Sequence, residues 1–186
     1  KGGGLLSRVL TSAVIGIDAY VMEVEVDISR GLPAFTTVGL PEVSVKESRE
    51  RVKAAIQNNG YSFPDDRITV NLAPAHIKKE GTGFDLPIAL GILSATGVIP
   101  NEDMPRRLVL GELSLDGRIR PVRGVLPAAM FMKNTVQKNI VIPEENSLEA
   151  AVVKGVHAYP FLSLAAIRDF LSGYAEARPR TVALED

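Results

Sequence analysis

A glycine-rich acidic turn near the middle of the chain carries the residue types that a functional site needs. Residues 80–85 read Glu-Gly-Thr-Gly-Phe-Asp, between a β-branched run at 68–72 and an apolar helical stretch at 84–95. The first backbone amides of a helix have no intrahelical partner, so a strand, a tight turn and a helix start together form a common scaffold for chemistry.

Two side chains of this turn could take part directly. Thr82 carries a hydroxyl, and Lys78 or Lys79 could in principle activate it, although nothing in the spacing favours that pair. Asp85 is interpreted as the N-cap of the helix, which alone justifies an aspartate there. The functional alternative for Asp85 is a contact to a neighbouring subunit or strand.

Several other chemistries are excluded by absent motifs. The chain has no G-x-x-x-x-G-K-[ST] phosphate loop, no G-x-S-x-G and no H-E-x-x-H. No catalytic, cofactor or metal site is therefore predicted on these patterns, and neither ATP nor a metal is expected to bind this chain.

A local excess of arginine gives a second candidate site. The segment 106–123 contains five Arg against Glu112 and Asp116. Arg forks suit phosphate, so these residues are candidate DNA contacts, weighed against an ordinary solvated surface. Alternate residues of a strand share a face, which groups two of them beside a predicted hairpin. The candidates are Arg106, Arg107, Arg118, Arg120 and Arg123.

The composition limits the classes of protein. The chain has 186 residues, 46% of them hydrophobic, a net charge of -1 and no Cys. These values predict one sizeable cytoplasmic domain with no global attraction for nucleic acid and no disulfides. No apolar run approaches a membrane span. Aromatic residues make up 5% and Trp is absent, which argues against an aromatic stacking platform.

Hydrophobic periodicity predicts an α/β or α+β sandwich of a mixed sheet and helices. A capping box of Ser44 and Glu47 opens the first helix, and Asp116-Gly117 marks a hairpin. Strands are expected at 9–17, 20–28, 35–40, 68–72, 108–115, 118–122, 140–142 and 157–160. Helices are expected at 44–59, 84–95, 124–133, 145–154 and 164–171.

Many short motifs resemble one family in the same order. They are GIDAY at 16–20, EVEVDI at 23–28, GLPAF at 31–35, VGLP at 38–41, VKESRERV at 45–52, ITVNLAP at 68–74, KKEG at 78–81, FDLPIAL at 84–90, GELSLDG at 111–117 and RPVRGVLP at 120–127. On these the chain resembles the ComM/YifB family of magnesium-chelatase-like competence proteins, over residues 5 to about 171. That resemblance implies the fold of the Lon proteolytic domain, which is ribosomal protein S5 domain 2-like.

The resemblance also implies where a Ser-Lys dyad would stand. The serine position of Lon-type proteases falls on Gly83, or on Thr82 if the gap moves by one residue. The lysine position falls on Leu126. Relatives in the ComM/YifB family usually read G-P-S-F-D at this turn, so the chain departs from its own family as well. Leucine cannot activate a nucleophile, and the resemblance therefore implies a catalytically inactive domain.

The resemblance to this family implies that the domain is part of a larger protein with a further module. Residues 5–173 would be the Lon-like domain and 174–186 a linker toward an AAA+ ATPase module that binds ATP and Mg²⁺. Residues 1–4 are expected to be a vector remnant. The whole protein would be a hexameric, DNA-acting branch-migration helicase of natural transformation and recombination. The alternatives are a Ser/Thr-Lys peptidase of the Lon type and a subunit of a metal-chelatase-like assembly.

Overall fold

The computed structural model describes residues 5–74, 77, 83–101 and 104–182. Its strands are β1 (Leu5–Ile15), β2 (Asp18–Ser29), β3 (Ala34–Val38), β4 (Arg67–Ala73), β5 (Leu108–Val109), β6 (Glu112–Leu113), β7 (Ile119–Arg120), β8 (Asn139–Pro143) and β9 (His157–Phe161). Its helices are α1 (Glu42–Asn58), α2 (Asp85–Ala95), α3 (Val125–Lys133), α4 (Ser147–Ala151) and α5 (Leu164–Leu171).

Seven of the strands form one sheet in the order β3-β4-β2-β1-β5-β8-β9. Strands β1, β2 and β4 pair antiparallel, whereas β3 with β4 and the run β1, β5, β8, β9 pair parallel. The predicted mixed α/β sandwich is confirmed.

Apolar and polar residues alternate along β2 from Met22 to Ile28, and their burial alternates in the same way. Met22, Val24, Val26 and Ile28 are buried, while the residues between them are only partly covered. The connection before this strand lies two residues earlier than the gap at 18–19 between the predicted strands. Only Gly16 and Ile17 separate β1 from β2, because Gly16 adopts the positive φ of 64° that a two-residue connection needs.

Helices cover both faces of the sheet. One core joins α1, α2 and α5 to β1, β2 and β4, and it includes Val141. The other core joins α3 and α4 to the second face, and it includes Ile140 and Ile142. Successive residues of β8 thus enter different cores, as the pleat of a strand requires.

Helix α2 lies deepest, and all eleven of its residues are buried. A Cβ built on Gly91 would lie 2.6 Å from Val26 Cγ2, and Ser7 Oγ donates to the Gly91 carbonyl at 2.6 Å. Glycine at this position therefore lets the helix approach the sheet. That close approach fixes the start of α2 against the neighbouring elements.

Two local predictions are wrong. Ser44 does not open a capping box, because α1 already begins at Glu42 after Pro41 and has no side-chain cap. The single strand expected at 108–115 is two short strands. The chain leaves the sheet at Gly111, where the Leu86 amide donates to the Gly111 carbonyl at 3.0 Å and ties this segment to α2. A Cβ on Gly111 would lie 2.9 Å from both Leu86 and Ile119.

The Asp116-Gly117 hairpin is confirmed, and helix α1 holds its turn. Strands β6 and β7 pair antiparallel, with Glu112 opposite Arg120. The side-chain amides of Asn58 and Asn59 donate to the carbonyls of Leu115 and Asp116, at 2.7 and 3.1 Å.

The segment 174–182 contains no helix or strand, yet it contacts the domain. The Arg180 amide donates to the Ala158 carbonyl of β9 at 2.8 Å. Ala177 packs against the first core. The interpretation of this segment as a linker to another module stays a prediction.

Candidate functional site

The start of helix α2 is built around a buried carboxylate. Asp85 is the first residue of α2 and is 1% exposed, but its side chain does not cap the helix. The interpretation of Asp85 as a simple N-cap is therefore wrong. Its oxygens accept instead from Arg51 Nε at 2.6 Å and Nη2 at 3.1 Å, and from Ser48 Oγ at 2.8 Å. The Leu113 amide donates to it at 3.2 Å, so the alternative contact to a neighbouring strand is present.

The contacts of Asp85 join three elements: Arg51 belongs to α1, Asp85 to α2 and the Leu113 amide to β6. Burial raises the pKa of Asp85, and the donors from Arg51, Ser48 and Leu113 oppose that rise. The hydrogen bond that Arg51 donates to Asp85 in turn raises the pKa of Arg51. A forked guanidinium on a buried carboxylate orients both groups, so this cluster fixes the site's geometry.

Sequence reasoning missed this cluster because its partners are 34 residues apart. The local i, i+4 spacing instead pairs Arg51 with Glu47 on a solvated helix face, and that contact is present only at 3.8 Å. The sequence feature that points to this cluster is the apolar stretch after Asp85. A helix that is buried on all sides leaves the carboxylate at its start no access to water, so that carboxylate needs a partner within the protein.

Gly83, the position implied for a catalytic serine, directly precedes α2. A Cβ built there would meet Val122 Cγ1 at 3.8 Å and Leu110 Cδ2 at 4.0 Å, which are ordinary contacts. A serine would therefore fit, and its absence is not imposed by packing. Thr82, Lys78 and Lys79 lie outside the described residues.

Leu126, the position implied for a catalytic lysine, lies in the first turn of α3 and is 38% exposed. The helix begins after Gly124, which has a φ of 87°. A Cβ there would lie 2.1 Å from Val14 Cγ2, so only glycine allows α3 to start this close to β1.

A cleft of about 730 Å³ opens beside Gly83. Ser12 on its wall is 7% exposed, and its hydroxyl has no partner within the described chain. Glu112 and Arg123 place opposite charges on the lining. The described lining residues are Ser12, Ala13, Val14, Gly83, Phe84, Leu110, Glu112, Pro121, Val122 and Arg123. These groups can hold a ligand by hydrogen bonds, but they contain no hydroxyl–amine pair for nucleophilic chemistry.

The five candidate arginines divide into separate groups. Arg118 and Arg120 are both exposed and flank the buried Ile119, as alternate residues of a strand do, and a DNA contact on one common face with Arg123 stays a prediction. Arg123 lines the cleft. Arg106 ends a 3-10 turn, and the Arg107 guanidinium lies 5.7 Å from the ring centre of Phe170, near the end of α5.

Neighbouring side chains already occupy part of the hydrogen-bonding capacity of the two hairpin arginines. Arg118 Nε is 2.9 Å from Asp116 Oδ2, and Arg120 Nε donates to Ser114 Oγ at 2.6 Å. Hydrogen bonds from the Arg118 amide and then its guanidinium lower the pKa of Asp116, so the carboxylate stays charged.

A protein-family model described as subunit ChlI of Mg-chelatase matches residues 24–146. The chain belongs to this magnesium-chelatase-like family. It is 40% identical to competence protein ComM of Haemophilus influenzae over 90% of the chain and 33% of that protein. It is 41% identical to the uncharacterized protein YifB of Escherichia coli over 94% of the chain and 35% of that protein.

This magnesium-chelatase-like chain also matches Lon protease 2 of Bacillus subtilis, at 29% identity over 68% of the chain and 22% of the protease. The expected ComM/YifB resemblance and Lon-like fold are thereby confirmed. The chain spans about a third of the length of the curated relatives that it matches at 40–43% identity.

Two structural features bear on ligands and membranes. Among the described residues, no group of three His, Asp or Glu side chains is arranged to hold a metal ion. No helix in the described ranges is long and apolar enough to cross a bilayer.

Proposed function

We propose that this chain is a catalytically silent Lon-like domain that helps assemble a larger ComM/YifB-type AAA+ ATPase and contributes contacts to DNA. The observation that carries the proposal is the pair Gly83 and Leu126 at the dyad positions of a Lon-like fold. A Ser-Lys enzyme needs a hydroxyl beside an amine at these two places, and neither side chain is present.

The remaining two thirds of the relatives' length is where we place the AAA+ module. That module would bind ATP and Mg²⁺, form a cytoplasmic hexamer and drive branch migration during transformation and recombination. The Haemophilus influenzae relative is named a competence protein, which supports a role in transformation.

Within the domain, the hairpin turn offers the DNA contact. Arg118 and Arg120 are exposed beside this turn. The side chains of Asn58 and Asn59, at the end of α1, hold the turn in place. Each guanidinium uses its Nε locally and retains further N–H donors, so each can still bind a phosphate oxygen. A six-fold ring would repeat the pair six times and raise avidity without any new contact.

Casein hydrolysis tests whether the domain lacks peptidase activity. We expect no cleavage by the chain, with Bacillus subtilis Lon protease 2 as the positive control. Cleavage that disappears with Thr82→Val would instead establish the peptidase alternative, because Thr82 supplies the turn's own hydroxyl.

Salt titration of fluorescent branched DNA tests the contact in the full-length protein. Arg118→Glu with Arg120→Glu should weaken binding and reduce its salt dependence, because phosphate contacts release counterions. The matched control is Lys138→Glu with Lys154→Glu, the same change of charge on two exposed lysines. Equal affinity of the arginine variant and wild type at every salt concentration would leave the domain a purely structural role.

A further inference from the structure

Arg168 on helix α5 lies between two tyrosine rings. Its guanidinium carbon is 4.8 Å from the ring centre of Tyr174 and 5.7 Å from that of Tyr61. Both distances are within the range of a cation–π contact. Arg168 and Tyr174, six residues apart, thus form one aromatic and cationic cluster with the distant Tyr61.

The backbone presents the Tyr174 ring to solvent in a fixed position. The amides of Tyr174 and Ala175 both donate to the Asp169 carbonyl, at 2.8 and 3.2 Å. The Tyr174 residue is nevertheless 73% exposed. An exposed ring on an anchored backbone has a face available for stacking at little entropic cost.

The guanidinium of Arg168 has donors to spare. Its one polar partner within the described chain is the Asp169 carboxylate, 3.0 Å from Nη1. Its Nε is buried and has no partner there. Since a guanidinium carries five N–H donors, it can bind an anion without releasing Asp169.

A cavity of about 540 Å³ adjoins this cluster. Its lining includes Tyr61, Ser62, Thr96, Val98, Arg168 and Tyr174, and none of the described lining residues is acidic. Burial raises the pKa of Tyr61, so its hydroxyl stays a donor at neutral pH. The cavity therefore combines ring faces, hydroxyl donors and a cation, which together favour a planar ligand with a negative charge.

We propose that this cavity binds an unpaired nucleotide, with its base stacked on Tyr174 and its phosphate on Arg168. A base supplies the planar ring, and a phosphate supplies the acceptor oxygens that Arg forks prefer. The ligand class rests on the proposed DNA function, but the site is distinct from the hairpin arginines. The low aromatic content of the whole chain does not oppose it, because folding gathers Tyr61 and Tyr174 at one place.

Tyrosine fluorescence reports on this site directly. The chain has four Tyr and no Trp, so a base that stacks on Tyr174 quenches a large share of the total emission. The probes are thymidine monophosphate, a single-stranded oligothymidylate and a duplex of equal length. We expect saturable quenching by the single strand and weaker quenching by the duplex.

Matched variants separate stacking from charge. Tyr174→Leu should weaken single-strand binding about 5-fold or more, whereas Tyr174→Phe should bind like wild type because it keeps the ring. Arg168→Gln should weaken binding and flatten its salt dependence. Tyr20→Leu is the control, since Tyr20 is 41% exposed on β2 and does not line the cavity.

Each outcome decides the proposal. Binding of thymidine monophosphate as tight as the strand assigns a free nucleotide, and binding of the strand alone assigns single-stranded DNA. Wild-type affinity in both Tyr174→Leu and Arg168→Gln, with circular dichroism showing folded variants, overturns the site. Loss of branched-DNA binding in the hairpin variant, with single-strand binding unchanged in both Tyr174→Leu and Arg168→Gln, would retain the proposed function and reject only this cavity.

Discussion

At the scale of single residues, the buried ion pair makes the sharpest prediction. Asp85→Asn removes the buried counter-charge of Arg51 and should destabilise the domain by about 2–4 kcal/mol, toward the lower side because Arg51 is partly exposed and Glu47 stays 3.8 Å from it. Urea unfolding measures the change. Glu50→Gln is the control, because the pair of Glu50 with Arg49 is exposed and 3.8 Å apart, and it should change stability by less than about 1 kcal/mol.

A double substitution tests whether the cost belongs to the pair. Arg51→Met with Asp85→Asn removes both charges, so it should be less destabilising than the sum of the two single changes. Strict additivity would show that Asp85 and Arg51 do not interact in solution.

Asp116 gives a prediction about pH. Its pKa lies below the ordinary value, so the stabilisation it provides is present above the unfolded pKa and is lost as the pH falls through the folded one. Arg118→Ala removes the guanidinium but keeps the backbone amide, the larger cause. The pKa should therefore rise only part of the way to its ordinary value. A carboxyl ¹³C titration by NMR measures it, and an unchanged pKa would mean that the guanidinium contact does not persist.

At the scale of elements, glycines decide where helices begin. Gly124→Ala should destabilise the domain by about 2–4 kcal/mol, because the new Cβ adds a clash with Val14 to an unfavourable positive φ. Gly60→Ala is the matched control, since Gly60 has a φ of 82° and open space around its Cβ, and it should lose only about 1 kcal/mol. Equal losses would show that Val14 moves aside without cost.

Most elements were predictable from local pattern, and the exceptions share one physical cause. The alternation of β2 and the turn at Asp116-Gly117 depend on neighbouring residues, so the sequence displays them directly. The break at Gly111 depends on contacts with the distant residues Leu86 and Ile119, which periodicity does not record. The same holds for the site, because the partners Ser48 and Arg51 of Asp85 come from another helix.

At the scale of the whole molecule, the segment after α5 should behave as part of the domain. The Arg180 amide bonds to β9, whereas the Arg178 amide has no backbone partner among the described residues. Hydrogen exchange followed by NMR should therefore find Arg180 clearly slower than Arg178. Equal and fast exchange would mean that the segment detaches in solution.

The two margins of the large sheet differ in a way that limits how copies can join. At β9 the backbone of Arg180 already occupies a pairing position, whereas no described strand lies beyond β3. A sheet with one unpaired edge strand can pair edge to edge with the same strand of a second copy. The combined sheet then has no further unpaired edge, so it cannot extend. Strand-by-strand growth into a fibre is blocked by the same arrangement. For the described part of the chain, this asymmetry favours a ring of more than two copies built from side-chain surfaces over one built from a continuous ladder of strands.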